Sequence, residues 1–157
     1  MNRELIELYA QGAATPRKAV EGLTVAQLNA FAIPGTWSIQ QIVLHLTDSD
    51  LVASDRMKRV IAMENPILIG YDETAFSQKL FYEEQDIFLA CELFGKNRLL
   101  TAQILRRLPD SAFERVGQHN ERGPIKLAQF VKGYVDHLAH HMKFLHEKRA
   151  LLSQGVS

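Results

Sequence analysis

The amino-acid sequence predicts an all-α protein whose main helices form a four-helix bundle. Along four long segments, apolar residues recur every three or four positions, which is the period of an amphipathic helix. No segment shows the two-residue alternation that is typical of a half-buried strand. The length of 157 residues is usual for one domain. We therefore assign residues 1–157 to a single helical-bundle domain.

Sequence signals mark the beginnings of the first two main helices. The first segment runs over residues 1 to about 22, and Pro16 within it is expected to kink or restart the helix. Thr24 and Ser38 each have a glutamine three residues later, which is the capping-box pattern at the start of a helix. Thr24 therefore begins a short helix. Ser38 begins the second main helix, which we expect to end near Met63.

The third main helix is expected to run from about Glu83 to Leu108. Before it, residues 66–70 are interpreted as a loop, and Asp72 is expected to cap a short helix. We interpret Cys91 as a buried structural thiol rather than a nucleophile. The buried side of the third helix is predicted to carry Phe88, Cys91, Gly95, Leu99, Ala102 and Leu105.

The last main helix follows a polar stretch over residues 116–123. Because this stretch contains two glycines, we expect it to be a loop. Pro124 suits the first turn of a helix, where its missing N–H group is not needed. The helix is expected to end near Leu152, with Gly155 beyond its end.

Charge and composition exclude several classes of protein. The 18 basic and 18 acidic side chains give a net charge of zero, whereas a nucleic-acid-binding protein usually has a basic excess on one face. One cysteine cannot form an intramolecular disulfide and is typical of a reducing compartment. No apolar run is long enough to span a membrane, and the N-terminus lacks the apolar stretch of a signal peptide. We therefore expect a cytoplasmic protein that binds neither nucleic acid nor membrane.

Two histidines lie on the apolar side of the last helix. Its apolar stripe comprises Leu127, Phe130, Val131, Tyr134, Leu138 and Leu145. His137 and His141 continue this stripe one turn apart, whereas His140 lies on the polar face. Two buried imidazoles on one face can bind the same metal ion, although pairs with this spacing also occur in helices by chance.

A third ligand would have to come from another helix. His45 is the only histidine of the second main helix, and it borders the apolar stripe that includes Ile42 and Leu46. It can face the bundle interior as a ligand, or pack at the edge of the core and bond to a neighbouring helix. His119, in the expected loop, and His146, on the flank of the last helix, are interpreted as surface residues.

Two separated motifs resemble those of the DinB/YfiT-like family of metal-dependent enzymes. The signature W-S-x-x-Q-x-x-x-H-x-x-D is matched by Trp37, Ser38, Gln41, His45 and Asp48. The sequence HLAHH at 137–141 resembles the C-terminal H-x-x-x-H element of the family. Residues 72–76 and 82–98 are also similar, so the resemblance covers nearly the whole chain.

This resemblance implies a four-helix bundle, a divalent metal ion on three histidines and, often, a homodimer. Carried over by position, the ligands are His45, His137 and His141. Members of the family include transferases and isomerases that use small cellular thiols. The expected partners are therefore a small-molecule substrate, a cellular thiol and a second copy of the chain.

Three histidines leave a metal ion at least one open position, as in catalytic zinc sites. Such an ion can lower the pKa of a bound water or hold a thiol as the thiolate, which would support hydrolysis or thiol transfer. Imidazole suits several metals, and we favour zinc or nickel. Two alternatives remain open: a non-catalytic metal- or ligand-binding bundle associated with stress, and a bundle in which the histidines only pack.

Asp48 is a candidate catalytic residue because it lies one turn after His45. A carboxylate in this position could orient the His45 ring or act as a base near the metal. The other interpretation is a surface aspartate on an exposed helix edge.

Overall fold

The computed structural model describes residues 2–154, and the predicted position of Gly155 lies outside them. Two 3-10 helices cover Gly12–Ala14 and Asp110–Glu114. The α-helices are α1 (Asn2–Gln11), α2 (Thr15–Ala19), α3 (Val25–Asn29), α4 (Ile39–Ala62), α5 (Glu73–Lys79), α6 (Ile87–Leu105) and α7 (Leu127–Gln154). The strands are β1 (Ile67–Leu68), β2 (Val116–His119) and β3 (Gly123–Lys126).

A four-helix bundle of α1, α4, α6 and α7 forms the body of the molecule, which confirms the predicted fold class. Helix α4 is central because it packs along both α6 and α7. Two clusters of buried apolar side chains fill the bundle. One surrounds the first half of α4, where Val43 and Leu46 are buried, and the other surrounds its second half near Met57.

The predicted helix starts are confirmed by their capping hydrogen bonds. Thr24 and Ser38 both form complete capping boxes with the glutamine three residues later. Asp72 caps α5 by accepting a hydrogen bond from the backbone N–H of Ala75. Pro16 lies in the first turn of α2, just after the 3-10 turn that separates α2 from α1. The first segment is therefore restarted at the proline, as expected.

Helix α6 is shorter than predicted and shows a different face to the core. It begins at Ile87 because the side chain of Asp86 accepts hydrogen bonds from two backbone N–H groups of the first turn. Phe88 and Leu99, which were predicted to be buried, are 43% and 48% exposed. This helix carries apolar residues on all sides, so the periodicity alone did not identify its buried face.

The prediction of a loop over residues 116–123 was wrong, because this region contains strand β2 and the turn into β3. Strand β2 pairs in parallel with β1 and antiparallel with β3. Gly123 supplies the positive φ of the turn, at 71°. Pro124 lies in β3, an edge strand that tolerates its missing N–H, and α7 begins three residues later than this proline. Residues 66–70, also predicted as a loop, contain β1.

Within residues 2–154, no helix combines the length and apolar character needed to cross a bilayer.

Candidate metal centre

Helices α4 and α7 bring three histidine rings together inside the bundle. His45 lies on the second turn of α4 and is fully buried. His137 and His141 lie one turn apart on α7, both partly buried. The Nε2 atoms of His45 and His137 are 3.1 Å apart, and one ring nitrogen of each histidine lies within 4.8 Å of those of the other two. The structure therefore groups all three predicted ligands around one point.

Burial keeps these three rings uncharged. It lowers the pKa of His45 to about 3, with the neighbouring His141 and His137 as further causes. It lowers the pKa of His137 and of His141 to about 4, and nearby His141 and His140, respectively, add to the effect. Near neutral pH each ring thus retains a free lone pair. Three converging neutral imidazoles are a donor set that fits a divalent ion such as zinc.

Trp37 closes one side of the three-histidine cluster. Its ring centroid lies 4.8 Å from that of His45, and it stacks on the ring of His141 at 6.4 Å. The Nδ1 atom of His45 is buried without a hydrogen-bond partner. His140 is exposed, as predicted, and its ring centroid lies 5.2 Å from that of His141. His146 is exposed further along α7.

Asp48 does not form a hydrogen bond with His45 in the described part of the chain. Its carboxylate accepts a hydrogen bond of 2.5 Å from the hydroxyl of Tyr82. Burial, and then this bond, raise the pKa of the Tyr82 hydroxyl, which therefore stays protonated. The structure places Asp48 half-buried against Tyr82, in the connection between α5 and α6, rather than on an open surface. Its role as a base stays a prediction.

A buried ion pair joins the four main helices of the bundle. Arg98 of α6 donates to the carboxylate of Asp50 on α4 at 2.9 Å, and both side chains are 1% exposed. Arg98 also donates to the backbone carbonyl of Tyr134, which lies one turn before His137 on α7. Asp50 accepts further bonds from Tyr9 and Asn97. These contacts fix the relative positions of the two helices that carry the histidines.

A polar cavity of about 240 Å³ opens beside His137. We call it the His137 cavity. It is lined by Ser49, Arg56, Tyr71, Glu73, His119, Glu121, Arg122, Tyr134 and His137, together with five further residues. The hydroxyls of Ser49 and Tyr71 are hydrogen-bonded to each other, and Ser49 Oγ lies 3.5 Å from His45 Nε2.

On the other side of the cluster, an apolar groove runs past His141. Its walls include Trp37, Ile42 and Phe144. The three histidines thus stand between a polar cavity and an apolar groove.

The burial of His119 contradicts the interpretation from the sequence, whereas the burial of Cys91 agrees with it. His119 was interpreted as a surface residue, but only 6% of it is exposed, because pairing of β2 with its neighbours turns the ring toward the His137 cavity. Cys91 is buried as predicted, and burial raises the pKa of its thiol to about 11. A thiol that holds its proton in this way is a poor nucleophile.

Comparison with known proteins identifies a family and several relatives. The DinB superfamily model matches residues 8–145. "Putative metal-dependent hydrolase YfiT" of Bacillus subtilis is 31% identical over 147 residues, which cover 90% of this chain and 80% of that protein. A protein of the same description from Oceanobacillus iheyensis is 29% identical over 126 residues, which cover 80% of this chain and 73% of that protein.

Two solved structures share the fold. YfiT from Bacillus subtilis, described as "a probable metal-dependent hydrolase with an unusual four-helix bundle topology", superposes with a TM-score of 0.91 at 27% identity and covers 97% of this chain and 87% of that one. A mycothiol-dependent maleylpyruvate isomerase superposes with a TM-score of 0.68 at 10% identity and covers 90% and 59%. At that low identity, the second comparison concerns the fold alone.

Proposed function

The chain belongs to the DinB superfamily, and from that premise we propose that it is a metal-dependent enzyme acting on a small molecule. One observation carries the proposal: three neutral histidines converge beside a solvent-connected polar cavity. Closed structural zinc sites use four protein ligands, whereas catalytic sites use three and leave one position for substrate or water. The description of the relatives as metal-dependent hydrolases supports hydrolysis as the first candidate reaction.

We propose His45, His137 and His141 as the ligands of one divalent ion, with zinc or nickel favoured. A bound ion of this kind would act as a Lewis acid and lower the pKa of a water or thiol that it binds. The chain's own residues provide the surroundings. Ser49 and Tyr71 present a hydrogen-bonded pair of hydroxyls in the His137 cavity, and burial raises the pKa of Tyr71, which keeps it a donor. The Tyr82–Asp48 pair is a second candidate for holding a proton.

Thiol transfer is the second candidate function, and the apolar groove beside His141 favours it. Transfer needs two substrates at one centre, and the cluster has room on two sides. A polar thiol would occupy the His137 cavity, and an apolar electrophile would occupy the groove. Hydrolysis needs only one of these spaces. Thiol transfer would take place in the cytoplasm, where small thiols are abundant and Cys91 stays reduced.

Elemental analysis by mass spectrometry tests the proposed ligands. We expect about one divalent metal ion per chain in tag-free protein, with loss of the ion in His45→Ala, His137→Ala and His141→Ala. His146→Ala is the matched control, because this exposed histidine lies on the same helix but outside the cluster, the His137 cavity and the apolar groove. Circular dichroism should show that all four variants stay helical. Metal at wild-type stoichiometry in His137→Ala would disprove the assignment.

Activity assays on the metal-loaded protein separate the two reactions. Hydrolysis predicts release of product from activated esters or amides without a thiol. Transfer predicts conjugation of monochlorobimane only when a small thiol is added. Either activity should disappear with the metal in the three histidine variants and persist in His146→Ala. A metal-loaded protein that is inactive in both assays would favour the non-catalytic metal-binding module.

A further inference from the structure

Arg56 is a buried cation without a counter-ion. It lies on α4, more than two turns beyond His45, and is only 7% exposed. Among residues 2–154, no carboxylate forms an ion pair with it. The other fully buried arginine, Arg98, is paired with Asp50. Even the exposed Arg59, one turn away on α4, is paired with Asp55. Arg56 therefore differs both from the other buried arginine and from its neighbour on α4.

The contacts of Arg56 are with neutral groups only. Its Nη2 donates to the backbone carbonyl of Ile69 at 2.5 Å, and its Nη1 donates to the Tyr134 hydroxyl at a long 3.4 Å. Its Nε is buried without a partner. A desolvated charge that is balanced only by neutral acceptors destabilises a fold, and an apolar residue of similar size would be more favourable there. The side chain is thus incompletely satisfied by the protein itself.

Arg56 forms part of the wall of the His137 cavity, and its Nη1 atom reaches the hydroxyl of Tyr134 on the same wall. Tyr134 lies between it and the cluster, because the Tyr134 ring is 5.7 Å from the His137 ring. The carboxylates on the cavity wall belong to Glu73 and Glu121, which are both exposed, as is Arg122. Neither carboxylate forms an ion pair with Arg56, so the cavity wall contains a buried cation without a paired anion.

His119 adds a neutral donor beside Arg56. Its Nδ1 accepts a hydrogen bond from the backbone N–H of Glu121, so the proton of the neutral ring lies on Nε2. Burial, and then the charge of Arg56, lower the pKa of this ring. The ring is thus a hydrogen-bond donor rather than a second cation. Arg56, His119 and the Tyr71 and Tyr134 hydroxyls together make a wall of donors, which suits an acceptor with several oxygen atoms.

We propose that the His137 cavity binds a small organic acid, whose carboxylate pairs with Arg56 while its other end lies toward His137. Carboxylate geometry matches the planar fork of a guanidinium, which makes arginine the usual partner for such groups. Ser49 and Arg56 lie seven residues apart on α4, about 10 Å along the axis, so the ligand is several bonds long. Binding of the carboxylate by Arg56 does not depend on the proposed function. Only the placement of the ligand's other end at the metal rests on it.

Calorimetric titration of the full chain, before and after metal removal, tests the inference. The probes are succinate and glutarate, each compared with its neutral diamide. We expect the acids to bind the wild type at least about tenfold more tightly than the amides, with or without metal. Arg56→Gln should weaken binding of the acids by a factor of about 10 to 100, and Arg56→Lys should recover only part of it. Arg59→Gln, the matched control, should bind like the wild type.

Thermal unfolding without ligand distinguishes a binding role from a structural one. We expect Arg56→Gln to unfold at the same temperature as the wild type or higher, since the variant removes a buried charge. Unchanged acid binding in Arg56→Gln, with or without a lower unfolding temperature, would overturn the inference. Equal affinity for acids and amides would also overturn it. Selective acid binding by a wild type that holds no metal would support the inference while the proposed enzyme failed.

Discussion

At the scale of single residues, the three histidines are protonated at a much lower pH in the folded, metal-free chain than an ordinary histidine. In the unfolded chain each ring takes up a proton near its ordinary pKa of 6.5. In the folded, metal-free chain burial delays this until about pH 3 for His45 and about pH 4 for the other two. Between these values the unfolded state binds more protons, so the free energy of unfolding falls as the pH is lowered.

This difference predicts an acid-dependent stability of the metal-free protein. We expect its unfolding temperature to be highest above about pH 6.5 and to fall steadily toward pH 4. The His45→Gln variant should show a shallower fall, because it lacks the most strongly shifted group. Exposed His146 offers the control, and His146→Gln should follow the wild type. Differential scanning calorimetry at several pH values measures the slopes, and equal slopes in all three proteins would contradict this account.

The sequence permitted only part of the site to be predicted at this scale. His137 and His141 could be placed because a long amphipathic helix fixes which residues share its buried face. Arg56 gave no such signal, since it is an arginine on a charged stretch of α4 and its burial depends on contacts with Ile69 and Tyr134. Tyr71 could not be predicted as a site residue either, because its hydrogen-bond partner Ser49 lies on a different element.

At the scale of elements, one buried ion pair holds α1, α4, α6 and α7 together. Arg98 bonds Asp50 and the carbonyls of Tyr9 and Tyr134, and its guanidinium lies 4.4 Å from the Tyr9 ring centroid. Burial raises the pKa of Asp50, while Arg98 opposes this shift. Removing either partner alone would leave the other charge buried and uncompensated.

We therefore expect Arg98→Met to lower the free energy of unfolding by about 3–5 kcal/mol. The double variant Asp50→Leu/Arg98→Met should recover most of this loss, because it removes both charges. Arg106→Met is the matched control: this arginine is the C-cap of α6 and pairs with Glu7 of α1, but the pair is exposed, so its loss should matter far less. Urea unfolding measures the differences. A double variant as unstable as Arg98→Met would refute the ion-pair explanation.

Two glycines in helices give a contrasting pair of predictions on packing. A Cβ atom at Gly95 of α6 would lie 2.9 Å from the carbonyl oxygen of Ala13, so Gly95 lets the 3-10 turn approach α6 closely. A Cβ at Gly133 of α7 would meet nothing within 4 Å. We expect Gly95→Ala to destabilise the protein by about 1–3 kcal/mol. Gly133→Ala should stabilise it by about 0.5–1 kcal/mol, because alanine restricts the unfolded chain. Urea unfolding of both variants checks the two signs, and equal effects would contradict this packing.

The main helices and the capped short helices α3 and α5 were predictable from the sequence, and the short strands were not. The four main helices each repeat their apolar pattern over several turns, and their caps fixed the start of α4 to the residue. Strands β2 and β3 have four residues each, too few for an alternation to stand out. Their pairing also depends on β1, which lies about 50 residues earlier in the chain and cannot be identified from local sequence.

At the scale of the whole molecule, α6 has an apolar surface that the bundle does not cover. Its exposed stripe comprises Leu89, Leu93, Leu100 and Ile104, spaced by four, seven and four residues and therefore on one face. A surface helix of a monomer usually carries polar residues on that face. The DinB/YfiT-like family that this chain resembles often forms homodimers, and we propose this face of α6 as the surface where a second copy binds.

A dimer of this kind makes a prediction that is independent of the metal. Light scattering should give the mass of two chains for the wild type and of one chain for Leu93→Glu/Leu100→Glu, because the new charges would be buried against a partner. Val25→Glu is the control, since Val25 is 75% exposed on α3 and its replacement should leave the mass unchanged. The His45, His137 and His141 rings face the bundle interior, away from α6's exposed stripe, so the monomeric variant should retain its metal. A wild type that is monomeric at all concentrations would exclude α6 as an interface between copies, and the exposed leucines would then be a feature of the monomer.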